Sequence, residues 1–166
     1  GAYDLVSPSV DTTSILRKMG LVEALDSSKL THWNDLYEAF RDHSGVSHEG
    51  QVYGVPVAWG SIAFMYMKDK FPTPPTSASV MWDKNLSGKI SMWDDKTSIY
   101  ITARMLFGTE VNVYDLSDDQ LEKVKDKLIA QKPLIRKYWA TAGELVNLYA
   151  NGEVWISNTW GGYQSA

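Results

Sequence analysis

An α/β fold with a mostly parallel sheet flanked by helices is predicted for this 166-residue chain. Three observations predict it. From residue 89 onward the segments run strand, helix, helix, strand, helix, strand, an order that lays strands in parallel with helices as crossovers. Two capping boxes, Ser117-Asp118-Asp119-Gln120 and Thr141-Ala142-Gly143-Glu144, announce two of those helices. Gly108 and Asn151-Gly152 stand where helices should stop.

Taken in order, Tyr3 to Val6 reads as a short buried strand broken by Ser7-Pro8-Ser9. Ser9 caps a helix whose apolar face is Ile15, Leu16 and Met19, with Gly20 as its stop. A second amphipathic stretch after Thr31 carries Trp33, Leu36, Tyr37 and Phe40. Residues 41 to 51 are polar and read as a loop. Residues 52 to 67 are strand-like on both sides of Trp59-Gly60, with Pro56 marking an edge. Pro72, Pro74 and Pro75 make a connector. Lys89 to Trp93 is a strand, and a helix runs over about residues 96 to 107. The helix opened by Ser117 buries Leu121, Val124, Leu128 and Ile129. Pro133 begins the next strand, and Glu153 to Asn158 is the last.

Bulk composition narrows the function. Apolar residues make up 44% and charged residues 22% of the chain, as in globular proteins. No run reaches the roughly 18 apolar residues of a membrane-spanning helix. The chain opens Gly1-Ala2-Tyr3 and shows no signal peptide. Without cysteine there is no disulfide, thiolate metal site or cysteine nucleophile. A net charge of -4 without any Lys/Arg cluster argues against nucleic acid as partner. His32, His43 and His48 have no metal-binding spacing, and no phosphate loop or nucleophile elbow is present. No catalytic residue, metal ligand or cofactor is assigned.

What remains is rich in rings: 7 Trp and 9 Tyr. In parallel sheets ligands lie beyond the carboxyl ends of the strands. That rule selects Ser7 to Asp11, Trp93 to Asp95, Trp139 to Thr141 and Asn158 to Tyr163. Asp94 and Asp95 are adjacent and point apart, so they do not form an acid/base pair. One is expected to cap the following helix while the other faces a ligand. A carboxylate beside an aromatic wall suits an ammonium group. Trp160-Gly161-Gly162-Tyr163 adds rings and two glycines that let backbone approach a ligand.

Four segments, in order, carry a family resemblance. They are Tyr-Asp-Leu-Val-Ser-Pro-Ser (3 to 9) with the helix leading into 19 to 30, Tyr-Gly-Val-Pro-Val-Ala-Trp-Gly (53 to 60), residues 81 to 95 ending Lys-Ile-Ser-Met-Trp-Asp-Asp, and Tyr-Ala-Asn-Gly-Glu-Val-Trp-Ile-Ser-Asn-Thr-Trp-Gly-Gly (149 to 162). Together they resemble periplasmic solute-binding proteins of ABC transporters, of the type II fold, and in particular the spermidine/putrescine-binding branch. The resemblance covers nearly the whole chain. It implies a partial first lobe over 1–58, a hinge crossing at 59–61, a second lobe over 62–158 and a return crossing over 159–166, with ligand held between the lobes. It implies a periplasmic or extracellular location, a cationic nitrogen-containing solute and an ABC permease as partner.

The ligand-binding set expected is Ser9, Asp11, Trp59, Trp93, Asp95, Thr141, Trp160 and Tyr163. The resemblance carries Ser9 as a first-lobe contact, Asp95 as the carboxylate for an amine and Trp160 as an aromatic wall. Two positions depart from the family pattern. Ser98 stands where an acid is expected, and Asp11 where an aromatic is expected. A mono-amine, an amino-acid derivative or an opine-like compound therefore fits as well as a polyamine. The family's opening strand–helix–strand unit and its closing segment have no counterpart here, so the fold is expected to be truncated at both ends. A homo-oligomer that rebuilds the missing half is expected in turn. The rival readings are a self-associating or partner-binding protein without a transport ligand, and an enzyme on a similar fold.

Overall fold

The structure, a computed structural model, describes residues 3 to 161. The chain divides into two compact units, Gly1–Trp59 and Gly60–Ala166.

The first unit is built from short elements. Helix α1 (Val10–Lys18) begins after Ser9 and ends in a left-handed Gly20, φ +66°, whose N–H reaches the Arg17 carbonyl. That is the glycine stop expected of the sequence. Its apolar stripe is not buried: Ile15 and Met19 are exposed, while Asp11 and Thr13 are the buried side chains. The stretch after Thr31 folds as a turn over 33–35 and a single-turn helix α2 (Glu38–Arg41), not one amphipathic helix.

Residues 41 to 51 are not merely a loop. Strands β1 (Ser47–His48) and β2 (Gln51–Val52) pair as an antiparallel hairpin. Glu49 and Gly50 form its turn with φ of 50° and 76°, the doubly positive geometry that matches strand twist. Gly45 packs so tightly on α1 that an added Cβ would lie 2.1 Å from Val10 Cγ2.

The buried strand expected at Tyr3 to Val6 does not form. No described strand pairs with it, and Tyr3 and Leu5 are 82% and 89% exposed. β propensity alone cannot hold an extended segment without a partner ladder. Residues 53 to 62 likewise run without a ladder, so Pro56 marks no sheet edge.

The second unit carries one four-stranded sheet in the order β3-β6-β4-β5. Its strands are β3 (Ala63–Tyr66), β4 (Ile90–Trp93), β5 (Ile135–Trp139) and β6 (Ile156–Thr159). β4 is parallel to both β5 and β6, as the alternation of segments predicts, and β3 runs antiparallel to β6. Two helices, α3 (Thr97–Phe107) and α4 (Asp118–Gln131), connect β4 to β5. A third, α5 (Ala142–Ala150), returns from β5 to β6 on the other side of β4. Ser117 and Gln120 complete the predicted capping box. Pro133 sits in a turn over 132–134, and β5 starts two residues later than the sequence suggests.

The period-two alternation of β4 splits two cores. Ile90 and Met92 join Met81, Leu86 and Ile156 on one face. Trp139 on the other face packs with Leu145, Leu148 and Val154, and Met65, Trp93 and Trp160 border it. α3 and α4 share a third cluster of Ala103, Val113 and Val124. β5 is an edge strand of this sheet, and its exposed Arg136 and Lys137 are ion-paired, Arg136 to Glu153 at 2.7 Å and Lys137 to Glu144.

Candidate functional site

The chain leaves β4 for one neighbour and comes back on the other. The carboxyl ends of β4 and β6 therefore flank a topological switch point, where open parallel sheets leave a crevice. The ladder between these strands covers only Ile90↔Ile156 and Ser91↔Ser157. Beyond it the strands part, and the Trp93 N–H donates instead to the Asn158 side-chain carbonyl at 2.7 Å.

Three indoles collect at this end. Trp93 stacks on Trp139, with centroids 5.6 Å apart and planes 13° from parallel. Trp160 meets both edge-on, at 4.9 Å from Trp93 and 5.3 Å from Trp139. Both edge and offset contacts satisfy the ring quadrupole, and each such pair is worth about 0.5–1.5 kcal/mol beyond burial. Trp139 is fully buried and anchors the group, its Nε1–H donating to Ser157 Oγ at 2.9 Å. Trp93 and Trp160 are half-buried.

Asp95 follows directly. Its N–H reaches the Trp93 carbonyl at 2.9 Å, which turns the chain sharply out of the strand. Its Oδ1 accepts from the Thr97 N–H at 2.8 Å and from the Thr97 hydroxyl at 2.5 Å. The carboxylate thus fixes the first turn of α3 through one oxygen. Asp94 is exposed, and its N–H continues the ladder to the Trp139 carbonyl at 2.9 Å. Burial, and secondarily the Asp94 carboxylate, push the Tyr138 phenol up. Capping therefore falls to Asp95, the residue the family resemblance assigns to the amine. The two duties are compatible because a carboxylate has two oxygens.

Ser98 has a backbone duty. It is buried, and its hydroxyl donates to the Trp93 carbonyl at 2.9 Å. Thr141 is exposed and caps α5, accepting from the Glu144 N–H at 3.3 Å. Glu144 reaches back to the Ala140 N–H at 2.7 Å; that bond and the Lys137 ammonium hold its carboxyl below the usual carboxylate range.

Ser9, Asp11 and Trp59 belong to the first unit. The Ser9 hydroxyl lies 3.3 Å from that of Thr12, and Asp11 is buried in the first turn of α1. Trp59 is 78% exposed, its ring tilted against Phe40 at 5.7 Å. Tyr163 lies outside the described residues.

The structure thus groups Trp93, Asp95 and Trp160 at one sheet end and adds two residues that the sequence reading did not assign. Trp139 and Asn158 both open segments that the strand-end rule selects, Trp139 to Thr141 and Asn158 to Tyr163, but a buried ring and a buried amide at strand ends read as core. Among the described residues no three acidic or histidine side chains gather as a metal site, and no helix is long and apolar enough to cross a membrane.

Known proteins resemble this chain over most of its length. The family described as "Bacterial extracellular solute-binding protein" matches residues 1–166. The spermidine/putrescine-binding periplasmic protein of Escherichia coli (strain K12) is 27% identical over 163 residues, covering 98% of this chain and 45% of that protein. The putrescine/agmatine-binding protein of Pseudomonas aeruginosa is 26% identical over 171 residues, 96% of this chain and 46% of its own length. Among solved structures, the TpPotD lipoprotein of Treponema pallidum superposes with a TM-score of 0.75 at 25% identity, over 94% of this chain and 48% of that one. The chain therefore spans about half the length of the relatives it matches. It belongs to the bacterial extracellular solute-binding proteins.

Proposed function

We propose that this chain forms part of a periplasmic or extracellular binding protein that delivers a small cationic nitrogen compound, of the polyamine or amino-acid-derivative class, to an ABC permease. The observation that carries the reading is the indole group of Trp93, Trp139 and Trp160 at the switch point of the sheet, with Asp95 in the turn that follows Trp93. Aromatic faces stabilise an alkylammonium chain by cation–π contact, and a carboxylate fixes its charged end. The names of the matched relatives, spermidine/putrescine-binding and putrescine/agmatine-binding, support the same ligand class.

Residues 59–61 and 159–166 serve, in this reading, as the crossings into and out of a second lobe. The antiparallel pairing of β3 with β6 supports it, since Ala63, just after the first passage, stands opposite Thr159, where the second begins. Self-association through the first unit belongs to the same proposal, supported by the exposure of Tyr3, Leu5 and Val57; light scattering tests it.

Titration calorimetry with putrescine, spermidine, agmatine and neutral or acidic amino acids tests the function. Saturable binding of the amines, with none of the acidic compounds, is the expected result. Binding of acidic compounds alone, or of nothing offered, would overturn it.

A further inference from the structure

At the end of β4 side chains hold the main chain of Trp93 where the ladder to β6 no longer does. The ladder to β6 stops at Ser91, and the Trp93 N–H would be orphaned inside the protein without the Asn158 carbonyl oxygen 2.7 Å away. On the other side, the Trp93 carbonyl accepts from the Ser98 hydroxyl at 2.9 Å as well as from the Asp95 N–H. Asn158 comes from β6 and Ser98 from α3, so the main chain of Trp93 is gripped on both its N–H and its carbonyl from two elements.

Asn158 is an expensive residue for this place. It is fully buried, and its Nδ2 has no hydrogen-bond partner among the described residues. A buried donor left unpaired costs stability, so packing alone would select an apolar side chain. What the amide supplies is its carbonyl, aimed at Trp93. The preceding residue fixes the second ring: Ser157 Oγ accepts from Trp139 Nε1 and donates to the Asn158 main-chain carbonyl at 2.9 Å. Consecutive residues of β6 thus reach the two stacked indoles, one through a ring nitrogen and one through a main-chain N–H.

We propose that Asn158 and Ser98 are positioning residues. They clamp the main chain of Trp93 at its N–H and its carbonyl and so set the angle between Trp93 and the other two rings. The clamp is a property of the ligand-free protein; only its effect on affinity rests on the solute-binding reading above.

The test uses the exciton couplet that stacked indoles give in circular dichroism, recorded without ligand on the whole chain. Trp93→Phe sets the baseline. Asn158→Ala and Ser98→Ala are expected each to lose at least half of the couplet, while Ser98→Thr, which keeps the hydroxyl, retains it. Putrescine affinity is expected to fall about fivefold in the alanine variants, the size of one hydrogen bond. An undiminished couplet in folded alanine variants, even with a lowered unfolding midpoint, overturns the clamp. So does a wild-type couplet no larger than that of Trp93→Phe. Should Asn158→Ala fail to fold, Ser98→Ala against Ser98→Thr decides alone. If the wild type binds no amine, the function falls while the couplet still decides the clamp.

Discussion

Replacing Asp95 by Asn separates two duties of that side chain. Oδ1 takes two hydrogen bonds from Thr97, and an Asn side chain presents the same oxygen to the same donors. Asn is as good a helix cap as Asp, so the first turn of α3 should survive with a loss of no more than about 0.5 kcal/mol. The charge does not survive. A hydrogen bond between an ammonium and a carboxylate is worth about 1.5–3 kcal/mol, against about 1 kcal/mol for a neutral partner. The difference, together with the lost ion-pair attraction, predicts at least a tenfold weaker amine affinity, about 1.4 kcal/mol. Calorimetry of wild type and Asp95→Asn with putrescine, beside thermal unfolding of both, measures the two quantities independently. Equal affinities would mean that the carboxylate only finishes its own helix. A large drop in unfolding midpoint would mean that the cap depends on charge, and the affinity loss could then no longer be assigned to the ligand.

Three further outcomes follow from local geometry. Trp139→Phe removes the bond to Ser157 Oγ together with the pyrrole half of a fully buried indole, and should cost the second unit about 2–4 kcal/mol in urea unfolding; an unchanged midpoint would contradict the buried, hydrogen-bonded indole. Gly45→Ala forces a methyl onto Val10, whose carbonyl oxygen lies only 2.7 Å from that Cβ position, and should destabilise the first unit by about 1–3 kcal/mol, read as faster limited proteolysis before residue 59. Glu144 has a folded pKa below its unfolded one, so its contribution is fully present above the ordinary carboxylate value of about 4.3 and fades as pH falls below it. Glu144→Gln should therefore narrow the stability gap between neutral and acidic pH, and an identical pH profile would count against the Ala140 and Lys137 contacts.

The parts of this fold that the sequence announced are those whose signals are local. The capping box at Ser117, the Thr141 cap of α5, the glycine at 108 and the run from Lys89 to Trp93 each contain their own reason; at Thr141 the Glu144 carboxylate takes the Ala140 N–H, which leaves that box half-closed. The failures share a different cause. Tyr3 to Val6 has strand propensity, but a strand exists only where another accepts its hydrogen bonds. Ile15 and Met19 form a real apolar stripe, yet periodicity reports a stripe and not the surface that covers it. The candidate site shows the same division. Trp93, Asp95 and Trp160 are legible because they lie at or just beyond predicted strand ends and pair a ring or a charge with that place. Trp139 and Asn158 lie there too, but their roles depend on register: Trp139 lies opposite Trp93, and Asn158 stands one step past the end of the β4–β6 ladder.

The charged edge at β5 has its own consequence. A sheet that ends in an unpaired strand can recruit an identical strand from another molecule. Here that recruitment would strip water from Arg136 and Lys137, which Glu153 and Glu144 hold in place. Desolvating two anchored ion pairs opposes such docking. Concentrated solutions should therefore resist fibril growth from this side of the sheet, and neutralising both cations should remove that resistance.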